Sequence, residues 1–180
     1  MSSKRNWTIN DFVIKIVDSD TKIPKFSCGE HDDLGLNDFL LNDAKTFYRS
    51  GMGVTHLFYL RETRKLVGYV TLAMGSIFKV KNVEKSVKGS DVKPVDPALL
   101  LGRLAVAEKM QGQGLGTFFI KYCVGIAVFL SKSSVGCRFV TLATKKGYRV
   151  DFYVKRRFKP IKSRLGDDYQ MMCLKLPPNV

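Results

Sequence analysis

The hexapeptide QGQGLG, residues 111–116, puts three glycines between an apolar run ending in LGRLAV and another beginning TFFIKYCVGIAVFL. Glycines at a strand-to-helix junction expose backbone that side chains would otherwise shield. Successive open amides with a helix N-terminus behind them form an anion-binding concavity suited to a pyrophosphate. Spacing separates the designs that use such a loop. A Walker P-loop needs G-x-x-x-x-G-K-[ST], and no lysine follows Gly112 at that distance. A Rossmann fingerprint needs a third glycine where Thr117 stands, and an acid about 20 residues on; none occurs from Thr117 to Val150. The pattern that fits is Q/R-x-x-G-x-G/A, met by Gln111, Gly114 and Gly116.

Other chemistries find little support. Cys28, Cys123, Cys137 and Cys173 are scattered, with no C-x-x-C pair and no histidine at ligand spacing, so no metal site is expected. His31 and His56 are the only histidines, and a nucleophilic triad would have to recruit one of them across the fold.

Charge is more informative. Thirty Lys and Arg against 16 Asp and Glu give a net +14 over 180 residues, which predicts attraction to polyanions. The excess is concentrated. Between Lys132 and Arg164 stand eleven basic residues and one acid, Asp151, a net of +10. Within that run Lys145, Lys146, Arg149, Lys155 and Arg156 are the candidates for contact with RNA phosphates.

These residues need a scaffold, and the length fits one domain over residues 1–180. FVIKIV at 12–17 alternates as a half-buried strand does. Leu36, Leu40, Leu41, Ala44, Phe47 and Tyr48 recur at spacings of three and four, predicting an amphipathic helix closed by Gly51 and Gly53. VTHLFYLR and KLVGYVTLAMGSIFKV, parted by Glu62, Thr63 and Arg64, predict an antiparallel hairpin. KNVEKSVKGSDVKPVDPA, residues 81–98, is expected to be a surface loop. LLLGRLAV reads as a strand buried on both faces, and Leu115, Phe119, Tyr122, Cys123, Ile126 and Leu130 as the stripe of the next helix. CRFVTLA then closes a parallel strand–helix–strand crossover, followed by a short helix through VDFYVKR and a last strand, YQMMCLKL. The apolar stretch YCVGIAVFL is about half the roughly 20 residues that cross a bilayer, and MSSKRNWTIND lacks a signal-like apolar core. A cytoplasmic location without a membrane partner is expected.

The glycine loop in this setting resembles the GNAT family of N-acetyltransferases, whose acetyl-coenzyme A pyrophosphate sits on it. FSCGEHDDLGLNDFL, KLVGYVTLA, LLGRLAV and DFYVKRRF follow in the order seen in the toxin-like branch of that family, covering nearly the whole chain. The resemblance implies an α/β (α+β) GNAT fold: a mixed central sheet of about six or seven strands with a splayed parallel pair and flanking helices. It implies that Gln111, Gly112, Gln113, Gly114, Leu115, Gly116 and Thr117 hold the cofactor's phosphates. Backbone at Leu104, Ala105 and Val106 would pair with the pantetheine arm, and Tyr153 of the Phe152–Tyr153 pair would protonate the leaving thiolate. Two positions depart from the pattern. Arg157 stands where the family commonly has a helix-capping glycine, so the turn is expected to differ or be strained. An asparagine often found upstream of the F-Y pair has no clear counterpart in KKGYRVDFY.

Acetyl transfer needs a neutral amine, stabilisation of the developing oxyanion and a proton for the thiolate. A phenol of pKa about 10 can serve a thiol of about 8.5. A backbone amide near Val106 suits the oxyanion. No Glu or Asp lies on LLLGRLAV to act as base, with Glu108 and Asp151 undetermined in direction. That favours an α-amine of pKa about 7.7 to 8.0, lowered further by an ester, over a lysine of about 10.4. The expected function is therefore acetylation of the α-amine of aminoacyl-tRNA, stopping translation, with a homodimer and an antitoxin protein implied by the family. The alternatives are transfer to a protein N-terminus, a lysine or a small amine, or a GNAT-shaped nucleic-acid-binding module without catalysis.

Overall fold

A computed structural model describes residues 5–30, 32–78, 95–161 and 168–178. Seven strands form one mixed sheet in the order β1-β2-β3-β4-β5-β7-β6. They are β1 (Phe12–Ile16), β2 (Val54–Leu60), β3 (Leu66–Phe78), β4 (Val95–Val106), β5 (Phe139–Lys145), β6 (Lys159–Ile161) and β7 (Tyr169–Lys175). The helices are α1 (Leu36–Asp38), α2 (Ala44–Arg49), α3 (Leu115–Ser133) and α4 (Tyr148–Val154). The chain divides into two compact units: Met1–Ala73 with Leu101–Tyr122, and Met74–Leu100 with Cys123–Val180.

In the first unit, β1, β2 and β3 run antiparallel, with Phe12 opposite Leu60 and Val54 opposite Leu72. Alternation along β2 sends Leu57 and Phe58 to opposite faces. Phe58 stacks on Phe119 of α3 at 4.3 Å and meets Tyr122 edge-on at 5.0 Å, while Phe12 stacks on Phe118 at 4.7 Å. Leu57 joins Tyr69 and Ala105 in a second cluster with Phe39, Leu40 and Ala44. Each fully buried phenyl or leucine here contributes about 1.5–3 kcal/mol relative to exposure.

The helix expected over residues 36–48 is present, but its register changes at Phe39–Asp43, a π-helical turn in which the Ala44 N–H donates to the Phe39 carbonyl. A wider turn rotates the residues beyond it, so Phe39 packs in the core while Leu41 and Tyr48, expected on the apolar stripe, are exposed. The preceding motif is a capping device: both Asp32 carboxylate oxygens accept N–H groups, from Leu36 and Asn37, and Asn37 Oδ1 accepts the Cys28 N–H.

In the second unit, β5 and β7 are antiparallel from Phe139↔Lys175 to Lys145↔Tyr169. The parallel β4–β5 ladder covers Ala98–Leu100 with Phe139–Thr141, although both strands run on beyond it, the splayed pair of the expected fold. Asp96 pairs with Arg138 at 3.1 Å. Two expectations change here. Val95–Ala98, read as the end of a loop, begins β4, because Pro97 and the Asp96–Arg138 pair do not prevent its edge from bonding; the Arg138 N–H donates to the Pro97 carbonyl. The rest of that loop, 81–94, lies outside the described residues. Strand β6 was not foreseen: Lys159-Pro160-Ile161 has no pattern of its own and is held by β7.

Helix α3 extends on both sides of YCVGIAVFL, so that over 19 residues it is long and apolar enough to cross a bilayer by composition. Within the helix Leu115, Phe119, Ile120, Cys123 and Ala127 are buried.

This packing has two measurable consequences. A Cβ at Gly68 would overlap the Ala105 carbonyl oxygen and the Phe119 ring. Gly68→Ala is expected to lose about 2–3 kcal/mol in urea unfolding, without a change in slope. His56 Nδ1 hydrogen-bonds the Tyr122 hydroxyl at 2.8 Å, and burial pushes the imidazole down to about 4 from 6.5. Below pH 6.5 the unfolded chain takes up a proton that the folded chain refuses, so this contribution is lost as pH falls towards 4. Thermal midpoints measured from pH 7.5 to 4.5 should fall less steeply in His56→Gln than in the wild type.

Candidate functional site

Strand β4 ends at Val106, and the Ala107 N–H donates to the Val67 carbonyl at 2.9 Å, fixing where the chain leaves the sheet. A 3-10 turn at Glu108–Met110 leads into the glycine loop. Gly112 and Gly114 adopt φ values of 75° and 91°, the left-handed region open to glycine at little cost. Gly114 then accepts the Thr117 and Phe118 N–H groups and starts α3. First-turn amides at Leu115 and Gly116 precede those bonds and have no acceptor within the helix. A Cβ on Gly112 would meet no atom within 4 Å, so the residue lies open and its requirement is conformational. These are the features that a phosphate needs from a backbone cradle.

The side chains of the two loop glutamines, expected among the cofactor contacts, are hydrogen-bonded within the protein. Gln111 Nε2 donates to the Cys28 carbonyl at 2.8 Å and to that of Val106 at 3.2 Å, and Gln113 Nε2 donates to the Lys109 carbonyl at 3.2 Å. Their side chains brace the loop, leaving their backbone for a ligand. Trp7 is a brace that sequence reasoning missed: its indole N–H donates to the Gln113 carbonyl at 2.8 Å, and Arg5 lies 4.4 Å over its ring. No spacing rule links positions 106 residues apart, so the only signal was the lone tryptophan.

In the second unit, Tyr153 sits in α4, half-buried, with its ring 5.7 Å from Phe158 and 5.1 Å from Phe152. Burial pushes its phenol up to about 12; the Cys123 thiol adds to the rise, and Arg149 and Arg156 oppose it. The hydroxyl is therefore protonated throughout the neutral range, the state a proton donor needs. Cys123 is itself pushed up to about 12 by burial, which makes it an inert thiol.

The turn after Tyr153 keeps the geometry that glycine would give. Arg157 takes φ 68°, the Phe158 N–H donates to the Tyr153 carbonyl and the Arg156 N–H does likewise. This is a helix C-cap with an arginine in the left-handed position, so the expected departure is strain in place of a different path.

Among the basic candidates, Lys146 and Lys155 are exposed, whereas Lys145 and Arg149 are half-buried. Arg156 lies 3.5 Å over the Phe152 ring and donates to the Phe152 carbonyl, so its guanidinium already braces α4. Lys162 and Arg164 lie outside the described residues, as does His31. His56 is held by Tyr122, which leaves it without the partners of a triad geometry. Glu108, whose direction the sequence left open, places its carboxylate over Gly29, and Asp151 is exposed on α4. Among the described residues no group of His, Cys, Asp and Glu could hold a metal ion.

No protein-family model matches the chain. A curated relative, the tRNA-acetylating toxin of Mycobacterium tuberculosis, is 30% identical over 145 residues, covering 81% of this chain and 82% of its own. Solved structures share the fold. AtaTR bound with acetyl-coenzyme A matches with a TM-score of 0.73 at 23% identity, over 93% of this chain and 95% of that one. AtaT complexed with acetyl-methionyl-tRNA matches at 0.69 and 22%, over 89% and 94%. A mutant AtaT toxin bound to the C-terminus of the antitoxin AtaR matches at 0.70 and 21%, over 92% and 93%.

The strained cap gives a direct expectation. Arg157→Gly should raise stability by about 0.5–1 kcal/mol, the left-handed penalty relieved less the entropy that glycine adds to the unfolded chain. Urea denaturation measures it, and a loss of stability would show that the Arg157 side chain makes a compensating contact.

Proposed function

Since this chain belongs to the toxin branch of the GNAT N-acetyltransferases, we propose that it transfers the acetyl group of acetyl-coenzyme A to the α-amine of an aminoacyl-tRNA. The observation that carries the reading is the corner between β4 and α3, where left-handed Gly112 and Gly114 deliver open amides to the start of a helix. In this reading those amides, with Leu115, Gly116 and Thr117, hold the cosubstrate's phosphates, and the backbone of Leu104, Ala105 and Val106 lies along its pantetheine arm. Gln111 and Gln113 fix the loop's shape.

The neutral α-amine attacks the thioester carbonyl; the C–S bond breaks, an amide forms, and the sulfur takes a proton from Tyr153 while the amine releases one to water, from which the phenolate regains its own. A backbone amide at Val106 stabilises the oxygen as charge develops on it. Tyr153 suits its part because it is protonated at working pH and lies beside two arginines that favour its brief anionic state. No carboxylate is required as base, since an aminoacyl ester presents an amine that is largely neutral already.

Lys146 and Lys155 contribute the exposed charge that draws the RNA in, with Lys145 and Arg149 behind them. We further propose that residues 1–180 act as one transferase domain in the cytoplasm, where charged tRNA is found, as a homodimer neutralised by a protein antitoxin. That activity stops translation by blocking the amine that forms the peptide bond.

Transfer of labelled acetyl groups from acetyl-coenzyme A to total charged tRNA, beside deacylated tRNA, peptides and polyamines, tests the substrate. Tyr153→Phe is expected to cut turnover on charged tRNA by about 100-fold or more with acetyl-coenzyme A affinity unchanged within about twofold. Equal turnover in the variant would remove Tyr153 from the mechanism, and label on peptides alone would reject tRNA.

A further inference from the structure

A cavity of about 370 Å³ in the first unit is walled by Val13, Lys15, Lys22, Pro24, Tyr59 and Arg64. Its geometry derives from the sheet. Val13 and Lys15 point to one face of β1, and Tyr59 stands opposite Val13 in the ladder, so the three side chains share that face. Lys15 Nζ lies 5.6 Å over the Tyr59 ring. Three of the six lining residues are cations and none is an acid. The Arg5–Asp11 and Arg138–Asp96 ion pairs use none of these cations.

Arg64 adds an independent observation. It closes the β2–β3 hairpin with φ 57°, its N–H donating to the Leu60 carbonyl at 2.8 Å. Glycine or asparagine would occupy that left-handed position at lower cost; an arginine there is strained by roughly 1–2 kcal/mol. A strained residue kept at the mouth of a basic cavity points to use of its side chain.

We infer that this cavity is a nucleotide subsite that grips the RNA substrate away from the reacting amine: Lys15, Lys22 and Arg64 take backbone phosphate, and Tyr59, Val13 and Pro24 give the ribose or base an apolar wall. The volume suits one nucleotide, and a cationic groove with an aromatic wall is how proteins hold single-stranded or splayed RNA without reading its sequence. The inference rests on the proposed RNA substrate and extends it to a surface outside the basic run at 132–164.

Arg64→Gly tests it without endangering the fold, because the substitution removes the charge and relieves the turn. Anisotropy titrations of deacylated bulk tRNA across a salt series, on the full chain, should show the slope of log affinity against log salt reduced by about 0.7–0.9 in Arg64→Gly. That equals an affinity loss of about 5- to 8-fold at 0.1 M salt relative to 1 M. Adding Lys15→Gln and Lys22→Gln should reduce the slope by about two more contacts. Thermal stability of Arg64→Gly should hold or rise, and acetyl-coenzyme A affinity should stay within about twofold. Unchanged tRNA affinity and slope in the triple variant overturn the subsite, as does a triple variant that loses polyglutamate binding alone, which would assign the cavity to an acidic protein. Wild-type chain that binds tRNA through these residues but does not acetylate it would leave the subsite standing and reject the proposed reaction. Wild-type chain without affinity for tRNA overturns both.

Discussion

The first unit is organised around a missing side chain. At Gly68 the Ala105 carbonyl and the Phe119 ring come into the space a Cβ would fill, so β3, the end of β4 and the first turns of α3 approach more closely than any other residue would allow. That contact fixes both ends of the glycine loop, since β4 leads into it and α3 leads out. The Ala107–Val67 hydrogen bond continues the same constraint one residue beyond the strand. Between those fixed ends, the Trp7 indole donates to the Gln113 carbonyl, and the Gln111 and Gln113 side chains tie the loop to the carbonyls of Cys28, Val106 and Lys109. The corner proposed to bind the cosubstrate's phosphates is thus positioned by packing that is mostly apolar.

Strain is distributed with the charge. The two described non-glycine residues with positive φ are Arg64 and Arg157, one closing a hairpin and one capping α4. Both occupy positions where backbone geometry favours glycine, and both carry a permanent cation into an exposed turn. Turn geometry explains why the chain bends there without explaining why arginine does the bending. In a chain of net +14, self-repulsion already opposes folding, so further cations at strained positions are doubly unfavourable to stability. A polyanionic substrate, as proposed, would reverse that sign for the cations it touches.

Periodic features were legible in the sequence. The alternation of FVIKIV, the hairpin about Glu62–Arg64 and the stripe of α3 each reflect a face that must be buried, and burial leaves a repeat. The glycine loop was legible because φ above zero restricts residue choice. The illegible features depend on partners distant in sequence. The π-turn at Phe39–Asp43 turns Phe39 in and Leu41 out, and a 3.6-residue count cannot register a wider turn. Strand β6 exists because β7 offers an edge, and Trp7 matters because Gln113 is beside it. The cap at Arg157 was read as a break in pattern, whereas the hydrogen bonds of the turn outweighed the preference of one residue.

The proposed chemistry divides its electrostatics among three kinds of group, and the division explains the residues that are missing. Backbone amides at a helix start bind phosphate without side-chain charge, so the loop needs glycines and braces and no lysine. A half-buried phenol pushed up to about 12 keeps its proton through the neutral range, and Arg149 and Arg156, which oppose that rise, favour the anionic form it would take on giving the proton up. The acceptor brings its own neutral amine, so no carboxylate need sit where it would repel the phosphates of cosubstrate and RNA. An acid in that position would assist one proton transfer while opposing both anionic ligands. In the proposed reaction two polyanions meet on one small protein, and an acceptor amine that is already neutral removes the need for a carboxylate base that would repel both.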